Sequence, residues 1–400
     1  MLRLLRVSLT AFRNYAALTW RPASRVVALF GSNGSGKTNL LEAVSLLAPG
    51  RGLRGARMAE LARRAPGVDG RWAVAGRFLT LDGTHDIGTG TPPEGPTDRR
   101  AFRLDGERPR SQAEIAARVA VVWLTPPMDR LFQEGAAGRR RFLDRLVLAL
   151  EPAHARELAA HDTALAERAR LLARGAADAV WLAGLEDQVA RHAVAVTASR
   201  MALAGRLDAA LAAGVVPGFP RPRLGLECPV AERLAAAPAV AVEDWLRGCL
   251  HAARARDAES GTAAIGAHRC DIALRDAASD LPAALASTGE QKATLLAIVL
   301  AHAGLIAEAR GFAPLLLLDE PTTHLDPARR AALFTAIARL PAQVLMTGTD
   351  AETFLPLAER AEGLRTGGGA LAPDPRFLAG EALVGENIPS GADSPGTVPR

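Results

Sequence analysis

The chain has 400 residues, 49% of them hydrophobic and 23% charged, with a formal net charge of +5. That length carries two or three domains around a sizeable core, and that balance excludes fibrous, collagen-like and wholly disordered chains. The basic excess suits a polyanionic partner, yet of 48 basic residues only Lys37 and Lys292 are lysines, which points to a bias replacing lysine by arginine.

The first expected elements are strands, at residues 2–9, 26–30, 72–81 and 101–104, where short apolar stretches alternate. Arg3 and Arg6 fall where a signal peptide needs its apolar run. Ser111, with Glu114 three residues later, reads as the N-cap of a helix. Residues 125–255 are rich in Ala, Leu, Arg and Glu, all good helix formers. Within them Leu158, Leu165 and Leu172 repeat every seven residues. Leu182, Leu185, Val189, Val196, Leu203 and Leu207 step by three, four or seven, and Gly175 separates the two sets. This pattern predicts a short coiled-coil-like antiparallel hairpin, or else two helices of an ordinary bundle. From 262 to 368 strand-like and helix-like segments alternate, as in an α/β unit. Residues 295–307, the longest strongly apolar stretch, are too short to span a bilayer and contain His302, so no membrane segment is expected. From 372 onward Pro, Gly, Ser and Glu predominate without periodicity, which predicts a disordered tail. Cys228, Cys249 and Cys270 are widely spaced, with no CxxC pair. Free thiols in a reducing compartment, the cytoplasm, are expected, rather than a disulfide frame or a zinc site.

The strongest chemical signal follows the strand at 26–30. Gly31, Ser32, Asn33, Gly34, Ser35, Gly36, Lys37 and Thr38 form a P-loop pattern, with a helix-capable segment behind it. Glycines let successive backbone N–H groups point at a phosphate, and the helix N-terminus adds its positive end. Lys37 is expected on the β/γ-phosphates of ATP or GTP, and the Thr38 hydroxyl on Mg²⁺. Much later, four leucines at 315–318 precede Asp319 and Glu320, a Walker B pattern. A fully apolar strand belongs in a parallel sheet buried on both faces, whose carboxyl edge receives the ligand. Asp319 is expected to hold the Mg²⁺ shell and Glu320 to polarise the attacking water.

Between them, Ser287, Thr288, Gly289, Glu290, Gln291 and Lys292 head an apolar helix. With both Walker motifs present, this segment resembles the signature motif of ABC-type ATPases. The resemblance implies that Ser287 and the Gly289 N–H donate to a γ-phosphate held by a second subunit's P-loop, with Gln291 among the nucleotide contacts. Leu325 and Asp326 resemble the D-loop of such dimers. The expected fold is therefore α/β: an ABC-type P-loop ATPase head from residues 1–115 and 262–371, an inserted α-helical domain at 116–261, and a tail at 372–400.

Over nearly its whole length to about residue 370, the sequence resembles the RecF family of bacterial recombination-mediator ATPases. The likeness rests on residues 9–15 with the single tyrosine, Tyr15; on residues 31–42; on Trp123 to Asp129; on Arg139 to Asp144; on Gly266 to Asp271; and on residues 287–292. It implies a slow ATPase that binds ATP and Mg²⁺ and closes as an ATP-dependent homodimer. The implied DNA is duplex or gapped, gripped without sequence preference. It also implies mediator partners that assist recombinase loading, and roles in DNA repair, replication restart and the SOS response, in the cytoplasm or on the nucleoid. Arg139, Arg140 and Arg141 are the first candidates for DNA phosphates, with pairing to Glu134 or Asp144 as the alternative; Arg54 and Arg57 are the second. His268 and Arg269 either cap a buried turn or serve a dimer or phosphate contact. There are departures. Residues 319–326 read more like a transporter ATPase subunit, which is kept as an alternative function, beside a non-catalytic ATP-binding clamp. Thr347 and Thr349 stand ahead of Asp350 where many ABC ATPases place a histidine, so Thr349 is expected to donate to the γ-phosphate. No glutamine near Trp123 presents itself as a metal ligand.

Overall fold

The computed structural model describes residues 2–66, 69–94, 96–175, 178–214 and 216–377. The chain opens with β1 (Arg3–Phe12), β2 (Tyr15–Trp20) and β3 (Val26–Phe30), then α1 (Lys37–Ser45) and the short α2 (Met58–Leu61). β4 (Ala73–Leu79), β5 (Thr84–Gly90), β6 (Ala101–Leu104), α3 (Gln112–Arg118) and β7 (Val121–Leu124) follow. A helical stretch holds α4 (Ala136–Leu150), α5 (His154–Ala173), α6 (Ala179–Ala212), β8 (Pro222–Glu227), α7 (Pro229–Ala236), α8 (Ala239–Ala252) and α9 (Arg254–Ser260). The last part is β9 (Asp271–Asp276), α10 (Thr288–Arg310), β10 (Leu315–Leu318), α11 (Pro327–Arg339), β11 (Val344–Gly348), β12 (Ala361–Gly367) and β13 (Ala370–Pro373).

Two sheets make the head. An antiparallel sheet runs β2-β1-β4-β5-β6, and a second runs β13-β12-β3-β11-β10-β7, parallel except for the β13 edge. In the second, β3, β10 and β11 are buried at every residue, which is why they read as unbroken apolar runs. Parallel pairing brings the ends of β3, β10, β11 and β7 to one carboxyl edge. α1 lies against β1, β4 and β11, and α10 packs on α4, α6 and β7.

Several expectations change. β5 went unseen because Asp86, Gly88 and Gly90, poor strand formers, interrupt its Thr and Ile; pairing with β4 on one side and β6 on the other imposes it. β7 falls inside the range expected for the insert, yet pairs in parallel with β10 in the head sheet. β8 breaks the helical region and pairs with β9, joining insert to head. Ser111 makes no side-chain cap; the Glu114 carboxylate accepts the Arg110 N–H instead, at 2.9 Å. The apolar stretch at 295–307 is part of α10, which is long and apolar enough to cross a membrane, but 78% of its most apolar window is buried inside the fold. The expected tail starts later than residue 372: β13 runs to Pro373, buried Asp374 pairs with Arg365 and Arg376, and Phe377 stacks on Phe30 with centroids 5.6 Å apart. Residues 378–400 of that tail lie outside the described residues.

The hairpin is present as α5 and α6, of 20 and 34 residues, or roughly 30 and 50 Å. It is tied down by charge as well as leucine. Buried Arg168 donates to Glu186 at 3.2 Å, to Asp257 at 2.9 Å and to the Leu250 carbonyl at 2.7 Å. Arg200 forks onto Asp144 at 2.7 and 2.8 Å, joining α6 to α4.

The cysteine expectation is overturned. Cys228 and Cys270 form a disulfide across 42 residues, leaving Cys249 free. β8–β9 pairing brings the two together, a proximity that spacing alone does not reveal. The cysteine argument for a reducing compartment lapses with it. Closing a loop of that size removes on the order of 4 kcal/mol of unfolded-state entropy in the chain-entropy account. Cys228→Ser is therefore expected to lower Tm markedly without reductant and little with it. A wild-type Tm indifferent to reductant, with no cross-linked peptide in a non-reducing digest, would remove the bond.

Candidate active site

The P-loop spans the gap between β3 and α1. Gly36, the last residue before α1, has φ 111°, and a Cβ there would lie 2.5 Å from Asn14 Nδ2 and 2.8 Å from the Tyr15 hydroxyl. Conformation and space both require glycine. Tyr15 donates to the Gly36 carbonyl at 3.1 Å, and burial pushes its phenol up to about 12, so it remains a neutral donor. Asn39 donates to Asn14 at 2.7 Å, and Arg13 forks onto buried Glu42 with both contacts at 2.8 Å. The turn between β1 and β2 therefore buttresses the phosphate loop from below, a role the sequence motif did not disclose. From the opposite side, Ser35 and Thr366 of β12 share a 2.6 Å hydrogen bond.

Lys37 is buried and donates to the carbonyls of Gly31 at 2.6 Å and Ser32 at 2.9 Å. Burial lowers its pKa, while the nearby carboxylates of Glu320 and Asp319 pull it up. Asn33, Gly34, Gly36, Lys37, Thr38, Asn39, Arg54 and Glu320 line one small cavity. A loop of N–H donors with a lysine and a helix N-terminus is a polyphosphate cradle.

Walker B arrives as the sequence required. The Asp319 N–H donates to the Leu124 carbonyl at 2.9 Å, continuing the β7–β10 ladder. Asp319 Oδ1 accepts from Thr38 at 2.9 Å and from Thr347 at 2.7 Å. Glu320 adopts φ 50°, a left-handed backbone that costs about 1–2 kcal/mol for a residue with Cβ. Its N–H donates to Thr347 Oγ1 at 2.9 Å, which holds that turn. Thr347 thus joins Asp319 and Glu320, a contact the sequence reading did not assign to it, while the exposed Thr349 donates to Asp350 at 3.0 Å. Thr38 and Asp319 offer a hydroxyl and a carboxylate within hydrogen-bond distance of each other, a hard oxygen pair that fits Mg²⁺ completed by phosphate and water. No cluster of three His, Cys, Asp or Glu that could hold a metal exists among the described residues.

The signature segment lies elsewhere on the head. Ser287 caps α10, accepting from the Glu290 N–H at 3.3 Å, while its own hydroxyl and N–H donate to the Glu290 carboxylate at 2.9 Å. A Cβ at Gly289 would meet the His324 carbonyl at 2.7 Å, so the helix start is pressed against the turn leading to Asp326. Asp326 caps α11, accepting the Arg329 N–H at 2.7 Å. Ser287, Thr288 and Glu290 are exposed, and none of them lines the cavity of this chain's own P-loop. Gln291 departs from its expected role: it is buried and donates to the carbonyls of Ala284 and Ala286, which sets the loop before Ser287. Lys292, the second lysine, is buried beside Asp129 at 3.1 Å and ties the signature helix to the segment after β7.

The basic candidates separate. Arg139 forks onto Asp271 at 2.6 and 2.8 Å, and Arg140 donates to the Cys270 carbonyl at 2.8 Å, so both serve structure. Arg54 holds Asn39 at 2.7 Å and Glu42 at 3.3 Å. His268 contacts the Ala263 carbonyl at 2.9 Å, and Arg269 donates to the same carbonyl and to Thr262, which is the capping of a turn. Burial lowers the His268 pKa to about 4, so it is neutral at physiological pH. Arg57 and Arg141 remain exposed.

A P-loop and a Walker B strand on one parallel edge, a separate signature helix with an exposed start and a helical insert define an ABC-type P-loop ATPase head. The model of the RecF/RecN/SMC N-terminal domain family matches residues 3–366. The DNA replication and repair protein RecF of Mesorhizobium japonicum is 45% identical over 370 residues, covering 92% of this chain and 97% of its own. RecF of Caulobacter vibrioides is 44% identical over 379 residues, covering 92% and 97%. The chain belongs to the RecF family. Among solved structures, the recombination mediator protein RecF of the RecFOR pathway, in its ATPrS form, superposes with TM-score 0.80 at 20% identity, covering 93% of this chain and 98% of that one. An Smc head bound to the C-winged helix domain of ScpA superposes with TM-score 0.52 at 18% identity, covering 93% and 96%, a likeness of fold.

Proposed function

We propose that this chain is an ATP-dependent DNA-binding protein of recombinational repair and replication restart. It closes on duplex or gapped DNA as an ATP-bound homodimer, assists recombinase loading together with mediator proteins, takes part in the SOS response and works in the cytoplasm. What supports the dimer is one observation: Ser287, Thr288 and Glu290 at the start of the signature helix are exposed and absent from the cavity of their own P-loop, which leaves them available to complete the site of a second copy. The Gly289 N–H and the N-terminus of α10 then face the partner's γ-phosphate, with Ser287 leaving Glu290 to join them. Thr38 and Asp319 would hold Mg²⁺, which would supply charge neutralisation at the phosphates. Lys37 and the loop N–H groups orient the polyphosphate, and Glu320 aligns and deprotonates the attacking water. Relatives of this extent named RecF support repair over the transporter alternative.

Fluorescence anisotropy of a gapped duplex, titrated with and without Mg-ATP at two salt concentrations, tests the reading. Tighter binding with ATP and a steep loss with salt are expected, because arginine–phosphate contacts release counterions. Ser287→Arg is expected to keep ATP binding and lose both the ATP-induced dimer and the ATP-induced gain on DNA. Unchanged dimerisation in that variant would defeat completion of the site by a second copy.

A further inference from the structure

A second cavity opens beyond the catalytic carboxylate. It has a volume of about 540 Å³ and shares Thr38, Arg54 and Glu320 with the P-loop cavity, so the two adjoin. Its far wall is one face of α4, where Gly138, Arg141, Phe142 and Arg145 follow at helical spacing. Arg145 anchors that wall: it donates to the Trp123 carbonyl at 3.4 Å and lies over the rings of Trp123 and Phe142 at 4.7 and 5.3 Å. The three consecutive arginines thus split in function. Arg139 and Arg140 fasten α4 to residues 270–271, whereas Arg141 lines the cavity and makes no hydrogen bond or ion pair among the described residues.

We propose that this cavity receives the phosphate cleaved from ATP, and that Arg141 is its phosphate-binding residue. The inference rests on the ATPase reading given above. In hydrolysis the water oxygen bonds to the γ-phosphorus as the bond to the β,γ-bridging oxygen breaks, and the water's proton passes through Glu320. The displacement is in line, so the phosphoryl group moves away from ADP towards the side from which water came, which is the Glu320 side. The adjoining cavity lies on that side and has room for a phosphate with several waters. Glu134, Asp319 and Glu320 also face it. Asp319 is engaged by Thr38 and Thr347, Arg54 by Asn39 and Glu42, and Arg145 is packed over Trp123 and Phe142 with its Nε left without a partner, whereas the exposed Arg141 guanidinium makes no hydrogen bond or ion pair among the described residues. Its planar fork matches two phosphate oxygens. A lateral exit of this kind is what an ATP-closed dimer needs, since the partner's signature helix would cover the γ-phosphate from above.

Radiolabelled inorganic phosphate bound to ADP-loaded full-length protein reads the site directly, and rapid-quench cleavage set against phosphate release, detected with a fluorescent phosphate-binding protein, reads it during turnover. Arg141→Ala is expected to weaken phosphate binding about tenfold or more and to shorten the interval between cleavage and release by a similar factor, as for loss of a charge-assisted hydrogen bond. Arg141→Lys, which keeps the charge without the fork, is expected to fall between. Turnover with phosphate affinity and release interval identical in all three proteins overturns the proposal. Phosphate binding that depends on Arg141 in a wild-type protein without turnover supports the site and overturns the ATPase reading alone.

Discussion

Lys37→Met is expected to weaken ATP binding by about 100-fold or more, the loss of roughly two charge-assisted hydrogen bonds to phosphate. Methionine keeps the length of the stem, which matters because Lys37 is buried at the head of α1. The ammonium rests on the Gly31 and Ser32 carbonyls, at the phosphate loop and within the field of Asp319 and Glu320. Because the proposed DNA grip is linked to ATP through dimer closure, the ATP-dependent gain in DNA affinity is expected to vanish with it. Titration with a fluorescent ATP analogue and DNA anisotropy on the same preparation check both halves. Near-wild-type nucleotide affinity would mean that the loop N–H groups suffice alone.

The second large effect concerns chemistry rather than binding. Glu320→Gln is expected to cut turnover by about 10²–10⁴-fold, the range for removing a general base, while ATP still binds. Glutamine preserves the shape and leaves the backbone N–H on Thr347, so the left-handed turn at φ 50° persists. ATP-bound dimer is then expected to accumulate, visible by light scattering after size exclusion. Turnover equal in variant and wild type would place the base elsewhere. A wild type that binds ATP and closes without turnover would favour the non-catalytic clamp.

The parts legible in the sequence were those written in contiguous residues. Val26–Phe30 and Ala101–Leu104 form strands at the bounds their apolar patterns gave, and the four leucines before Asp319 form a buried strand. The heptad leucines made the hairpin of α5 and α6 visible. Thr38 and Asp319, far apart in sequence, met as expected because each closes a motif whose spacing encodes its own geometry.

Other parts depended on which segments became neighbours. Thr347 meets the Walker B carboxylate because β11 runs beside β10, a pairing that puts its hydroxyl on Asp319; Thr349 follows the end of β11 and donates to Asp350. Gln291 belongs to a motif but is consumed by packing, since the segment before Ser287 folds against it and takes its amide on the Ala284 and Ala286 carbonyls. Tyr15 and Arg13 gain their role only when the β1–β2 turn folds under the phosphate loop. The disulfide appears only because β8 and β9 pair. Among the three arginines at 139–141, a near-identical local sequence gives two structural clamps and one free guanidinium. By itself, then, the sequence determined the class of fold, the phosphate loop with its lysine and the strand that ends in two carboxylates. Tertiary structure alone decided which polar side chains are free to act and which are consumed by packing, because a hydrogen bond between distant residues depends on where the chain returns and leaves no local pattern.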